Sequence, residues 1–269
     1  GVPPYFQQRT WMQVHRFFLS LPPAQDPKDD WILRQFTKYL EMNGMAGFTG
    51  FEQGIFDYFF THDDDDARKW VRDTVQQFAE ELHEEIKKID GFYGSFDVGT
   101  LRLQDEHAWI AFGPSGARYR QYAHLTVIID ATGIVVQANI ELKAAVDKLR
   151  AKIVCNSEAF RDTLVNLEVD DPFSVRIEER RQKQASKYDY FPVADLQSRS
   201  LRDASTGPHG FDYMEALLAG IELPYVTFRK RVDRQSAVDL SGLDQGKSLV
   251  KTVASLAKAF HPLVSFVNE

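Results

Sequence analysis

Residues Tyr122 to Lys143 read Tyr-Ala-His-Leu-Thr-Val-Ile-Ile-Asp-Ala-Thr-Gly-Ile-Val-Val-Gln-Ala-Asn-Ile-Glu-Leu-Lys, and the spacing of the apolar positions in this stretch decides the fold. Leu125, Val127 and Ile129 recur at every second position, as do Ile134, Val136, Ala138 and Ile140 beyond Asp130–Gly133. A period of two belongs to strands with one buried face, so a β-hairpin is expected. A slip of one residue would turn the whole apolar set outward, which sets Ile129 opposite Ile134. Four-residue loops are commonly built around a type I turn, with Asp early and a Gly able to take positive φ at the end. The other face then carries His124 opposite Asn139 and Thr126 opposite Gln137, beside Tyr122 and Glu141. The bland reading of that face is a solvated sheet surface.

The same stretch also admits a chemical reading. Asp130 followed by Glu141-x-Lys143 has the residue types of a metal-dependent nuclease core, in which carboxylates hold a divalent cation and a lysine assists the attacking water. The hairpin geometry opposes it. Counting from Ile134 at about 3.3 Å per residue, Glu141 lies roughly 23 Å from the tip where Asp130 sits, too far to share an ion. The weak catalytic candidates are therefore His124, Glu141 and Lys143, with His124 able to act as acid or base beside a carboxylate. No resident cofactor is expected, Mg²⁺ being the alternative if the chain hydrolyses phosphodiesters.

Working outward, the 269 residues are 43% hydrophobic and 26% charged, the balance of an ordinary globular chain with a substantial core. A net charge of −7 argues against binding nucleic acid through the surface as a whole, though not through a local basic patch. A lone cysteine, Cys155, excludes an internal disulfide and suits the cytoplasm. No apolar run reaches the ~18 residues of a membrane span. The chain starts at Gly1 rather than methionine, which fits a processed product or a fragment of a longer protein.

Helical spacing marks Trp11 to Leu21, Trp31 to Leu40 before Gly44, Phe51 to Phe60, and Asp65 to Ile89 before Gly91. Strand patterns run from Phe92 to Ile140. Helices return at Glu141 to Val154 and at Ser157 to Leu167, with Ser157 as N-cap. Further strands are expected at Ser174–Glu179, Tyr188–Pro192 and Tyr225–Arg231, and further helices at Phe211–Ala219 and Gly246–Val267. Strands grouped without regular alternation with helices indicate an α+β fold with a mostly antiparallel sheet and helices packed on one face. Residues 1–47 read as an N-terminal helical segment or the remnant of an upstream domain, and residues 48–269 as the α+β domain.

Two motifs are weaker than they look. His62-Asp63-Asp64-Asp65-Asp66 resembles a hard-cation site, but acidic residues belong at a helix start, where they meet its positive end. Ser241-Gly-Leu-Asp-Gln-Gly-Lys247-Ser248 imitates a phosphate-binding loop, yet a serine replaces the first glycine and no later strand can supply the magnesium-side acid.

The basic segments carry more information. Arg118, Tyr119, Arg120 and Tyr122 combine cations with aromatic faces, as proteins that hold single strands do. Arg176, Arg180, Arg181, Lys183 and Lys187 cluster with Tyr188 and Tyr190, and Arg229, Lys230, Arg231 and Arg234 form a third group, an asymmetry on an acidic chain. The competing reading of these groups is a solvated face paired with Glu178, Glu179 and Asp233.

Leu149-Arg150-Ala-Lys-Ile153 followed by Asn156, Glu158, Phe160 and Leu164, together with Ala259-Phe260-His-Pro262-Leu263-Val-Ser-Phe266-Val-Asn268, resembles the family known as domain of unknown function 2461, over roughly residues 48–269. Asp97-Val-Gly-Thr-Leu-Arg102-Leu-Gln-Asp-Glu106 stands where that family has an arginine-, serine- and lysine-rich strand and turn. The resemblance implies an α+β fold and supplies no activity. The reading as a whole is a non-enzymatic binding or accessory module, within a larger nucleic-acid-processing protein, whose partner is single-stranded nucleic acid or another protein. The alternative is a divalent-metal-dependent nuclease or phosphodiesterase.

Overall fold

The computed structural model describes residues 48–61, 65–88, 96–114, 119–167, 172–184, 187–202 and 210–269. The chain separates into two units, Gly1–Gly47 and Phe48–Glu269. The helices expected around Trp11 and Trp31, the segment His62–Asp64 and Arg118 lie outside the described residues.

Two helices come first among the described residues, α1 (Gln53–Thr61) and α2 (Asp65–Ile86). Four strands follow, β1 (Phe96–Leu103), β2 (His107–Pro114), β3 (His124–Asp130) and β4 (Gly133–Ile140). Helices α3 (Lys143–Cys155) and α4 (Ser157–Leu167) lead to a long hairpin of β5 (Ser174–Gln184) and β6 (Lys187–Gln197). The rest is α5 (Ser198–Arg202), α6 (Phe211–Gly220), β7 (Pro224–Asp233), α7 (Arg234–Leu243) and α8 (Lys247–Asn268). The seven strands form one sheet in the order β1-β2-β3-β4-β7-β5-β6, every neighbouring pair antiparallel, so the fold is α+β.

The central hairpin pairs Ile129 with Ile134, and Asp130 with Gly133. Asp130 Oδ1 accepts from Thr132 N at 2.7 Å and closes the turn. Gly133 has φ +138°, and a Cβ there would lie 2.3 Å from the Val232 carbonyl oxygen. Glycine is needed at this position for the positive φ and equally because β7 passes close by.

Leu125, Val127, Ile129, Ile134, Val136, Ala138, Val226, Phe228, Val175 and Ile177 all join one continuous core. Helix α8 lies across β3 and β4 and also packs on α2, α3, α4 and α7. Its buried positions, among them Leu249, Val253, Ala257, Phe260, Val264 and Val267, recur every three or four residues, as an amphipathic helix requires. Phe48, Phe51 and Phe78 pack edge-on or tilted at centroid distances of 4.9–5.1 Å at the start of the unit.

Several local expectations are corrected. Asn156, not Ser157, caps α4: its Oδ1 accepts from Ala159 N at 3.0 Å, because the chain turns from α3 into α4 at Asn156. Strand β5 extends to Gln184, past the end expected, since Arg180–Gln184 carries no apolar residue, and β6 continues past Pro192 to Gln197, since an irregularity between the Pro192 and Ala194 pairs absorbs the proline within the strand. The phosphate-loop mimic contains the end of a helix, α7, begun by Asp233, whose side chain accepts from Ser236 N. Ser241 is buried there; its Oγ accepts from Phe51 N at 2.8 Å and donates to Ala237 O at 2.7 Å.

Candidate functional site

Strand pairing aligns the residues of the other sheet face in rows. His124, Asn139, Thr227, Arg176 and Asp195 lie side by side across β3, β4, β7, β5 and β6, and Thr126, Gln137, Arg229 and Ser174 form the adjacent row. On the far side of the first row Tyr225 pairs with Glu178, and Arg180 with Tyr190. Glu141 follows directly on Ile140, the last paired residue of β4.

A solvated surface is the sequence-based expectation for this face, and burial corrects it. His124 is 3% exposed, Asn139 1% and Glu141 6%, and Thr126, Gln137, Thr227 and Glu178 are buried as well. The side chains shield one another. The Tyr119 ring meets His124 edge-on at 4.9 Å, and Tyr190 meets Tyr225 edge-on at 5.5 Å.

Beneath these rings runs a hydrogen-bond network. Asn139 Oδ1 accepts from Gln137 Nε2 at 2.8 Å and from Tyr225 OH at 2.9 Å, while Asn139 Nδ2 donates to Thr126 Oγ1 at 2.6 Å. His124 Nδ1 lies 3.0 Å from the Tyr122 carbonyl; a carbonyl only accepts, so the neutral ring carries its proton on Nδ1. Burial pushes His124 down to about 4 and Tyr225 above the ordinary tyrosine range, so both are neutral at pH 7. Gln137 Oε1 is buried without a hydrogen-bond partner.

At one end of the network the two basic segments meet. Arg120 Nε lies 2.9 Å from Glu141 Oε2, and Arg180 Nη1 lies 3.9 Å from Glu141 Oε1. Arg176 pairs with Glu178 at 2.5 Å. Tyr190 is 42% exposed beside this group, its hydroxyl pushed up by burial and by the Glu141 charge. Burial also raises the Glu141 carboxyl, against the pull of both arginines, and lowers the Arg229 guanidinium, which Arg176 repels.

The other sequence candidates scatter. Asp130 pairs with Arg231 at 3.5 Å at the hairpin tip, and Lys143 with Asp147 at 2.5 Å on α3, so the three parts of the nuclease-like pattern have three separate partners. Among the described residues no three His, Cys, Asp or Glu side chains converge as metal ligands. Arg181 leaves the Arg180 face by strand alternation, pairing with Glu179 at 2.6 Å and lying over Phe191; Lys183 pairs with Asp189 at 3.3 Å. Tyr122 falls outside the β3–β4 ladder, because a 3₁₀ turn at Tyr119–Gln121 precedes it, and Lys148 lies over its ring. Sequence reasoning misses Tyr225 and Glu178 as members of the site, since only the insertion of β7 beside β4 brings them there.

The chain matches no protein-family model and no curated protein. Among the described residues no helix is long and apolar enough to cross a membrane.

Proposed function

We propose that this chain is a non-enzymatic binding module, acting in the cytoplasm as an accessory part of a nucleic-acid-processing protein, that holds single-stranded nucleic acid against the arginine and tyrosine face of β4, β7, β5 and β6. The observation that carries this reading is the meeting of Arg120 and Arg180 at Glu141 with the half-exposed ring of Tyr190 beside them. Guanidinium groups pair with phosphate oxygens, and a tyrosine ring offers any unpaired base a stacking face. Such a local patch works on an acidic chain because interactions beyond about 10 Å are screened at physiological salt. A two-carboxylate metal reaction gains no support, since Asp130 and Glu141 stand at opposite ends of one hairpin.

Fluorescence anisotropy with a labelled oligothymidylate over a salt series tests the proposal. Arg120→Ala combined with Arg176→Ala is expected to weaken binding and to flatten the log-log salt slope by roughly 0.7 for each phosphate the variant no longer neutralises. Tyr190→Ala is expected to weaken it by about 1–3 kcal/mol for the missing stack and to leave the slope alone. Absence of binding by the unaltered protein at low salt would eliminate the reading and leave a protein partner.

A further inference from the structure

Arg180 is an anomaly on this face. It is 4% exposed, and its Nε is buried without a hydrogen-bond partner. Its ring neighbour is Tyr188 at 5.1 Å, and Glu141 at 3.9 Å is a charge contact beyond hydrogen-bonding distance. Desolvated guanidinium groups ordinarily hold a carboxylate or a phosphate through two donors. Glu141 cannot serve both arginines: one oxygen meets Arg120 Nε, and the other falls short of Arg180. The gap suits an anion larger than a carboxylate, with more oxygens to share.

We propose that Arg120 and Arg180 form a binding site for one phosphate group of a nucleic-acid strand, and that Glu141 occupies this site in the free protein and must be displaced before the phosphate enters. The proposal rests on the reading of this face as a nucleic-acid surface. Glu141 is placed to move, since it lies between the last paired residue of β4 and the start of α3, and its side chain can rotate while both elements stay in place. The first turn of α3 contains no acidic residue, and Leu142 at its N-cap gives no side-chain cap, so a displaced carboxylate would stand beside the positive end of the helix. Arg120, half exposed, lies at the open side of the pair, and Tyr190 stands where a base attached to the bound phosphate could stack.

Anisotropy titrations of the same oligothymidylate against the full chain, Glu141→Gln and Glu141→Asp over a salt series decide the matter. Glu141→Gln removes the competing charge, and affinity is expected to rise roughly tenfold or more, the equivalent of one charge-assisted hydrogen bond no longer broken on binding. Its salt slope should steepen, because no liberated carboxylate takes up a cation as the strand releases its own. Glu141→Asp keeps a negative charge near Arg180, which protects the fold, but withdraws the carboxylate from Arg120 and is expected to tighten binding to a smaller degree. Binding by the unaltered chain with both variants equal or weaker would overturn the displacement while leaving the binding face intact. No binding by any of the three at low salt would overturn both.

Discussion

At the scale of single residues, Gly133 shows what a sequence reveals and what it hides. The need for positive φ at the end of the Asp130–Gly133 turn follows from the turn type. The close approach of Val232 O, Asp233 and Arg234 N to the place a Cβ would take at this position depends on a strand far along the chain and has no local signal. Both constraints penalise a side chain, so Gly133→Val is expected to lower stability by about 2 kcal/mol or more in urea melts. Asp130→Asn keeps an oxygen to accept from Thr132 and loses an exposed ion pair, so its effect should stay within about 1 kcal/mol. An unchanged melt for the valine variant would contradict the crowding by β7. Glu141 is the complementary case. Its partners Arg120 and Arg180 are both conspicuous in the sequence, yet nothing in their spacing says that one carboxylate lies between them.

At the scale of elements, legibility follows hydrophobic periodicity. The β3–β4 register, the span of α4 and the course of α8 are readable because apolar residues recur at two or at three-to-four positions. Helix α7 is not, because Arg234–Leu243 buries only a narrow stripe and is set by a capping aspartate and by the hydrogen bond of Arg234 to Asp57. The outer half of β5 is hidden for a related reason: Arg180–Gln184 carries no apolar residue, and only its pairing with β6 identifies the segment as strand. The dependence of the core on α8 is open to measurement. Phe260, fully buried and in the same helix as exposed Lys258, should cost about 3–5 kcal/mol when replaced by alanine, while Lys258→Ala should be close to neutral by thermal denaturation. Similar losses for the two variants would mean that α8 is not packed as described.

At the scale of the whole molecule, the buried polar face couples stability to pH. His124 is held near 4 in the folded chain against about 6.5 when unfolded. Above pH 6.5 both states are neutral and the histidine contributes no pH dependence. As pH falls from 6.5 towards 4 the unfolded chain takes up a proton that the folded chain refuses, so stability declines by about 3 kcal/mol and levels off below 4. Glu141, whose raised carboxyl takes up its proton before the unfolded counterpart does, acts in the opposite sense, and the depressed Asp233 and Asp244 lose their contributions only at lower pH. Urea melts from pH 7.5 to 4.5 should therefore show an acid slope that His124→Gln largely removes; matching slopes would refute a buried neutral imidazole. The α+β class is readable from the grouping of strands, whereas the strand order is not, because β7 comes last of the seven along the chain and lies between β4 and β5. That order has a kinetic consequence. The β1–β4 meander and the β5–β6 hairpin can each form from near neighbours in sequence, but they stay separate sheets until residues 224–233 arrive to join them through contacts of long sequence separation. During vectorial synthesis both open edges wait for that strand, so the slow step of folding is expected to be the closure that also brings Arg180 to Glu141. A chain halted before that closure has no arginine pair to offer, and competence to bind becomes a report that folding is complete.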